Sequence, residues 1–213
     1  FQIGVRDNRK LEHVLEVKGD TLQEQRNEER ATITKFFKII DYIQPDIITG
    51  YNSENFDWPF LFERAERLSI PITEVAITLN RVSKIKRKPA TVKFGGETEH
   101  YQQTNMYGYN IMDISHAVRR AMAINSEIKS WGLKYITTYL EKEKPNRVYV
   151  DGAKISKIYL GNESYYVNPK TGNYKQIGEP GTENILTKYP GKFEIWTGRK
   201  IVEQYLDDDL YET

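Results

Sequence analysis

The chain has 213 residues, with 30 acidic side chains against 31 basic ones and no cysteine. That length accommodates one α/β domain with a substantial core, the near-neutral balance announces no global field for nucleic acid, so any DNA site must be local, and the missing thiols exclude a disulfide scaffold and thiolate metal sites. His13, His100 and His116 lack zinc-site spacing, and no apolar run reaches the roughly 20 residues that span a bilayer. A soluble, cytoplasmic protein with no membrane partner is therefore expected. The first residue is Phe1 rather than a methionine, and the chain stops just after a helical pattern. Both ends read as boundaries drawn through a longer protein.

Taken in chain order, residues 1–5 and 14–17 flank a polar stretch and read as a hairpin. From 22 to 43 the apolar positions Ile33, Phe36, Phe37, Ile40 and Ile43 follow helical spacing, and Pro45 ends that helix. Residues 46–49 read as a short buried strand, and a polar loop over 51–57 leads into a helix that Pro59 helps to start. The middle reads as a loop or loose hairpin, with a basic cluster at Lys84, Lys86, Arg87 and Lys88 and a glycine pair at Gly95-Gly96. That cluster either tracks a DNA backbone or is a solvated basic loop. Residues 109–113 read as a strand, followed by helices over about 115–125 and 133–140. Between 148 and 195 tyrosines alternate with turn formers, and Asn168-Pro169-Lys170-Thr171-Gly172 reads as a hairpin loop with its glycine left-handed. A last helix from 198 to 213 carries Ile201, Val202, Tyr205, Leu206 and Leu210 on its inner side.

The most specific segment is Asp46-Ile47-Ile48-Thr49-Gly50-Tyr51-Asn52-Ser53-Glu54-Asn55-Phe56-Asp57. An aspartate where a strand gives way to a helix projects its carboxylate at the rim of the sheet, where open α/β sheets place ligands. On its own residues, Asp57 is either a metal ligand there or a helix cap. Phe56 reads as a core aromatic and Asn52 as a loop residue bonding its own backbone. Two Tyr-x-x-x-Asp pairs are candidates for a shared site, Tyr109 with Asp113 and Tyr205 with Asp209. Along a strand such residues stand about 13 Å apart, whereas on a helix they stack at about 5–6 Å on one face. The helical pair Tyr205 and Asp209 fits a shared site; Asp113 reads as the cap of the helix near Ser115. Asp207 and Asp208 are expected to point to other, solvated faces.

The segment around Asn52 and Asp57 resembles the second exonuclease motif of family B DNA polymerases, and Tyr205 with Asp209 resembles the third. A 3′→5′ proofreading exonuclease domain of phage or bacterial type is implied, with a ribonuclease H-like α/β fold. Its mixed sheet, flanked by helices, is expected to contain residues 1–5, 14–17, 46–49 and 109–113, in a single domain over 1–213 with a β-ribbon inserted around 145–195. The resemblance further implies Asp57 and Asp209 as metal ligands, Tyr205 as the residue orienting the attacking water, and Asn52 and Phe56 as contacts to a single-stranded DNA 3′ end at a primer–template. Two Mg2+ ions, or Mn2+, are the cofactors that carboxylates would hold, and the remainder of a polymerase chain is the expected partner. The first motif of the family, Asp-x-Glu, and the Asp-Thr-Asp of a polymerase palm do not occur. With two carboxylates for two dications, the isolated chain is expected to be inactive. Two further readings share the fold: a stand-alone 3′→5′ exonuclease and a nucleic-acid-binding module without catalysis.

Overall fold

The first two strands form the hairpin that the polar stretch between them suggested. β1 (Gln2–Arg6) and β2 (Glu12–Glu16) pair antiparallel with Gln2 opposite Glu16. Asp7 closes their turn, its carboxylate accepting from the backbone N–H groups of Leu11 at 2.8 Å and Arg9 at 2.9 Å. These bonds, with that of Leu11 the largest, hold its pKa below the usual carboxylate range. The computed structural model describes residues 1–72 and 84–212. The chain divides into two compact units, Phe1–Ile136 and Thr137–Thr213.

In the first unit, α1 (Leu22–Ile43) starts at a capping box in which Thr21 and Glu24 satisfy each other's backbone donors. It ends with Gln44 in the left-handed conformation at φ 49°, just ahead of Pro45. Its predicted stripe holds at Ile33, Phe37 and Ile40, which are buried, while Phe36 packs edge-on against Phe37 and Trp58. Periodicity did not mark Glu29, which is buried and forms a two-pronged ion pair with Arg64, Nη2 donating to Oε2 at 2.6 Å. That pair joins α1 to α2 (Asp57–Arg67), and the bonded carboxylate raises the Arg64 pKa.

β3 (Ile47–Gly50) pairs in parallel with β6 (Asn110–Asp113), setting Gly50 opposite Asp113. Between them run β4 (Lys84–Phe94) and β5 (Glu97–Tyr107), fully paired antiparallel through a Gly95-Gly96 connection. The expected loop or loose hairpin is thus an ordered ribbon of two eleven-residue strands. α3 (Ile114–Ile124) and α4 (Leu133–Tyr139) follow. The architecture is mixed α/β, but the single mixed sheet expected from the sequence is not what forms. Its four segments fall into two separate pairs, β1–β2 and β3–β6. Nor is β3 a fully buried strand: with β6 its one neighbour among the described residues, Ile47 stays 51% exposed.

The second unit packs its own core of Val148, Val150, Ile158, Tyr165, Val167, Trp196, Ile201 and Val202. A short 3-10 turn (Gly152–Lys154) runs into α5 (Ile155–Leu160). β7 (Ser164–Val167) then pairs antiparallel on both edges, with β8 (Tyr174–Gln176) and with β9 (Glu194–Thr197), and α6 (Ile185–Lys188) lies between those two in sequence. The 168–172 loop closes as expected: the Gly172 N–H donates to the Asn168 carbonyl at 2.9 Å and Gly172 sits at φ +69°. α7 (Gly198–Glu212) buries Ile201 and Val202. Residue 213, the expected end of that helix, lies outside the described residues. No helix among the described residues is long and apolar enough to cross a membrane.

Candidate active site

The loop that follows β3 is built around buried acceptors. Asn52 takes a left-handed backbone at φ +57°, a conformation asparagine tolerates better than most residues. A Cβ at Gly50 would stand 2.6 Å from that of Ser53, so the chain reverses here only because Gly50 lacks one. The Asn52 carbonyl accepts from the N–H groups of Asn55 and Phe56, and its Oδ1 accepts from Asn55 Nδ2 at 3.1 Å.

Asp113 caps α3, as its position before Ser115 suggested. It accepts from the Ser115 N–H at 3.0 Å and from Ser115 Oγ at 2.7 Å. The same carboxylate, 6% exposed, also accepts from the backbone N–H groups of Asn52 at 2.8 Å and Glu54 at 3.0 Å. Sequence reasoning missed this second role because the donors lie about sixty positions away. It also missed Glu54, which is buried and accepts from the Thr104 N–H at 2.9 Å and Thr104 Oγ1 at 2.8 Å. Burial is the largest influence on Glu54 and raises its pKa despite those bonds. Nothing local separates buried Glu54 from exposed Asn55 beside it.

With its inner side held in this way, the loop turns Asn55, Phe56 and Asp57 outward. Phe56 is 68% exposed, so it is not the core aromatic that its residue type suggested. It occupies the N-cap of α2 and makes no side-chain cap. Asp57 is the first helical residue and makes no ion pair among the described residues. It is open to solvent on one side and crowded by protein on the other. Burial, followed by the nearby charge of Asp113, outweighs its own backbone bond and raises its carboxyl above the usual range. Tyr109 is a buried core residue and precedes β6.

In the second unit, Tyr205 and Asp209 share one face of α7, and the tyrosine hydroxyl donates to the Asp209 carboxylate. Burial first, then that aspartate, pushes the Tyr205 hydroxyl up to about 12. Buried Arg147 ion-pairs with both Asp209 and Glu212. The solvated faces expected for Asp207 and Asp208 need correction. Asp208 is 1% exposed and accepts from the Val148 N–H at 2.8 Å, while Lys144 Nζ lies 2.9 Å from Asp208 and 2.7 Å from half-exposed Asp207. A partly buried lysine and a backbone donor hold the helix there, which no pattern along α7 announces.

Among the described residues, no three Asp, Glu or His side chains are gathered so as to hold an ion. By donor type the carboxylate of Asp57 and that of Asp209 each suit a hard cation.

The chain belongs to the exonuclease-domain family of family B DNA polymerases: residues 3–136 match the family described as "DNA polymerase family B, exonuclease domain". Similar proteins include the DNA polymerase of Archaeoglobus fulgidus, 53% identical over 45 residues, which are 21% of this chain and 6% of that one. The DNA polymerase delta catalytic subunit of Dictyostelium discoideum is 28% identical over 124 residues, 57% of this chain and 11% of that one. The DNA polymerase of Phaeocystis pouchetii virus is 25% identical over 182 residues, 80% of this chain and 17% of that one. In each comparison the match covers less than a fifth of the relative's length.

Proposed function

We propose that this chain is the proofreading module of a family B DNA polymerase, a ribonuclease H-like 3′→5′ exonuclease that removes the terminal nucleotide from a single-stranded DNA end. The β-rich part around 145–195 is an insertion in that fold. One observation carries the reading: the loop over 51–57 is tied on its inner side by buried carboxylates while Phe56 and Asp57 stand exposed beside each other.

An exposed aromatic offers a face on which a terminal base stacks with little regard to sequence, and Asn52 supplies amide and carbonyl groups to the same strand end. Tyr205 stays protonated at neutral pH, since its hydroxyl is pushed up to about 12. It therefore orients the attacking water by a hydrogen bond and does not act as a base. Asp57 and Asp209 are the oxygen donors for divalent cations, magnesium or manganese. Once bound, such ions offset the charge that develops on the attacking and leaving oxygens.

The test uses the full-length protein and a single-stranded oligonucleotide. Asp57→Ala and Asp209→Ala should each lower 3′→5′ digestion by at least about a hundredfold while nucleotide addition persists, because a metal ligand is lost remote from the polymerising site. Tyr205→Phe should slow digestion less, by about tenfold. Undiminished digestion by either alanine variant overturns the proposal.

A further inference from the structure

The basic cluster on β4 does not present its four side chains alike. Lys84 and Lys88 are exposed, whereas the side chain of Arg87 is 17% exposed and turned toward protein. Its Nη2 donates to the carbonyl of Glu54 at 2.5 Å and to that of Gln102 at 2.6 Å, and lies 3.7 Å from the Glu54 carboxylate. Arg87 stands directly opposite Thr104 in the β4–β5 register. Thr104 is the residue whose N–H and hydroxyl hold that carboxylate. One cross-strand pair therefore grips Glu54 from both ends, by its main chain and by its side chain.

We infer that Arg87 is a positioning residue, which latches the loop bearing Asn52, Phe56 and Asp57 onto the β4–β5 hairpin. The inference rests on the exonuclease reading and extends it to a residue outside the motifs. Three features favour a latch over a contact to DNA. Both guanidinium bonds end on backbone carbonyls of two different segments. Burial is the first influence on Arg87 and lowers its pKa, the opposite of what an open phosphate-binding arginine experiences. Lys84 and Lys88, and not Arg87, are the members of the cluster exposed to solvent. Both bonds leave Nη2 at the far tip of the guanidinium, one bond further from the main chain than a lysine ammonium sits, so lysine does not reproduce the double attachment.

Arg87→Lys and Arg87→Ala in the full-length protein, assayed on a single-stranded oligonucleotide with magnesium across a range of salt, decide the matter. A loosened loop should raise KM for the strand end by about tenfold in both variants, with kcat falling less than about threefold. The dependence of KM on salt should match that of the parent. If Arg87→Lys behaves as the parent while Arg87→Ala loses about one unit of salt slope, Arg87 is a phosphate contact and the latch is overturned. An unchanged KM in both variants overturns it equally. Thermal melting checks each fold, and should Arg87→Ala not melt cooperatively, Arg87→Lys decides alone. Asp57→Ala is run alongside. Loss of digestion there with a normal KM in the Arg87 variants removes only the latch, whereas full digestion by Asp57→Ala removes the exonuclease reading as well.

Discussion

Asp113 shows how one carboxylate fixes two segments at once, capping α3 through Ser115 and receiving the backbone N–H groups of Asn52 and Glu54. Asp113→Ala would leave those two donors inside the protein without an acceptor and would strip the cap from the helix. The unmet donors cost about 1–3 kcal/mol and the cap about 1 kcal/mol, so a loss of about 3 kcal/mol is expected in urea unfolding. A variant as stable as the parent would contradict the arrangement. Digestion by folded Asp113→Ala should fall less than that by Asp209→Ala, because Asp113 supports the loop and its oxygens are occupied by protein donors. The cap was legible, since Asp-Ile-Ser is a local pattern at a helix start. The contacts to the loop were not, because their strength comes from burial that only packing creates.

Among the elements, the β4–β5 ribbon was the hardest to read. Ile85 lies seven positions before Val92 and nine before Phe94, all three buried, so odd separations place the two ends of β4 on opposite faces. A ribbon that buries one face near its open end and the other near its turn has no single period-2 signal. Twist over eleven residues supplies the reversal. The β7–β8 hairpin is the contrary case, where Asn168 to Gly172 was recognisable from residue type alone. At Gly172, φ is +69° and an added Cβ would collide with the carbonyl oxygen of Arg147. Gly172→Ala should therefore cost at least about 2 kcal/mol, from strain in the left-handed conformation together with a clash against main chain that has little room to move. Unfolding by denaturant measures it, and a neutral result would mean that the 146–147 backbone yields freely.

At the scale of the whole chain, each compact unit carries one of the proposed ligands, Asp57 in Phe1–Ile136 and Asp209 in Thr137–Thr213. Asp113 is engaged by four hydrogen bonds and Asp209 by Arg147. Purified 1–213 should therefore leave a single-stranded oligonucleotide intact in the presence of magnesium, since two carboxylates hold two dications weakly and leave the developing charge largely uncompensated. Magnesium-dependent shortening from the 3′ end would refute this and point to a further acid. The sequence by itself determined the features that are contiguous or periodic along the chain: the striped helix α1 with its stop at Pro45, the turn at 168–172, the run from Asp46 to Asp57, and the helical spacing of Tyr205 and Asp209. Only the tertiary structure decided that four expected strands form two pairs, that Phe56 is exposed, that Asp208 is buried, and that Arg87, Thr104 and Asp113 hold one loop. Those outcomes depend on which polar groups lose water together. That is a property of residues brought near in space, and spacing along the chain carries no record of it.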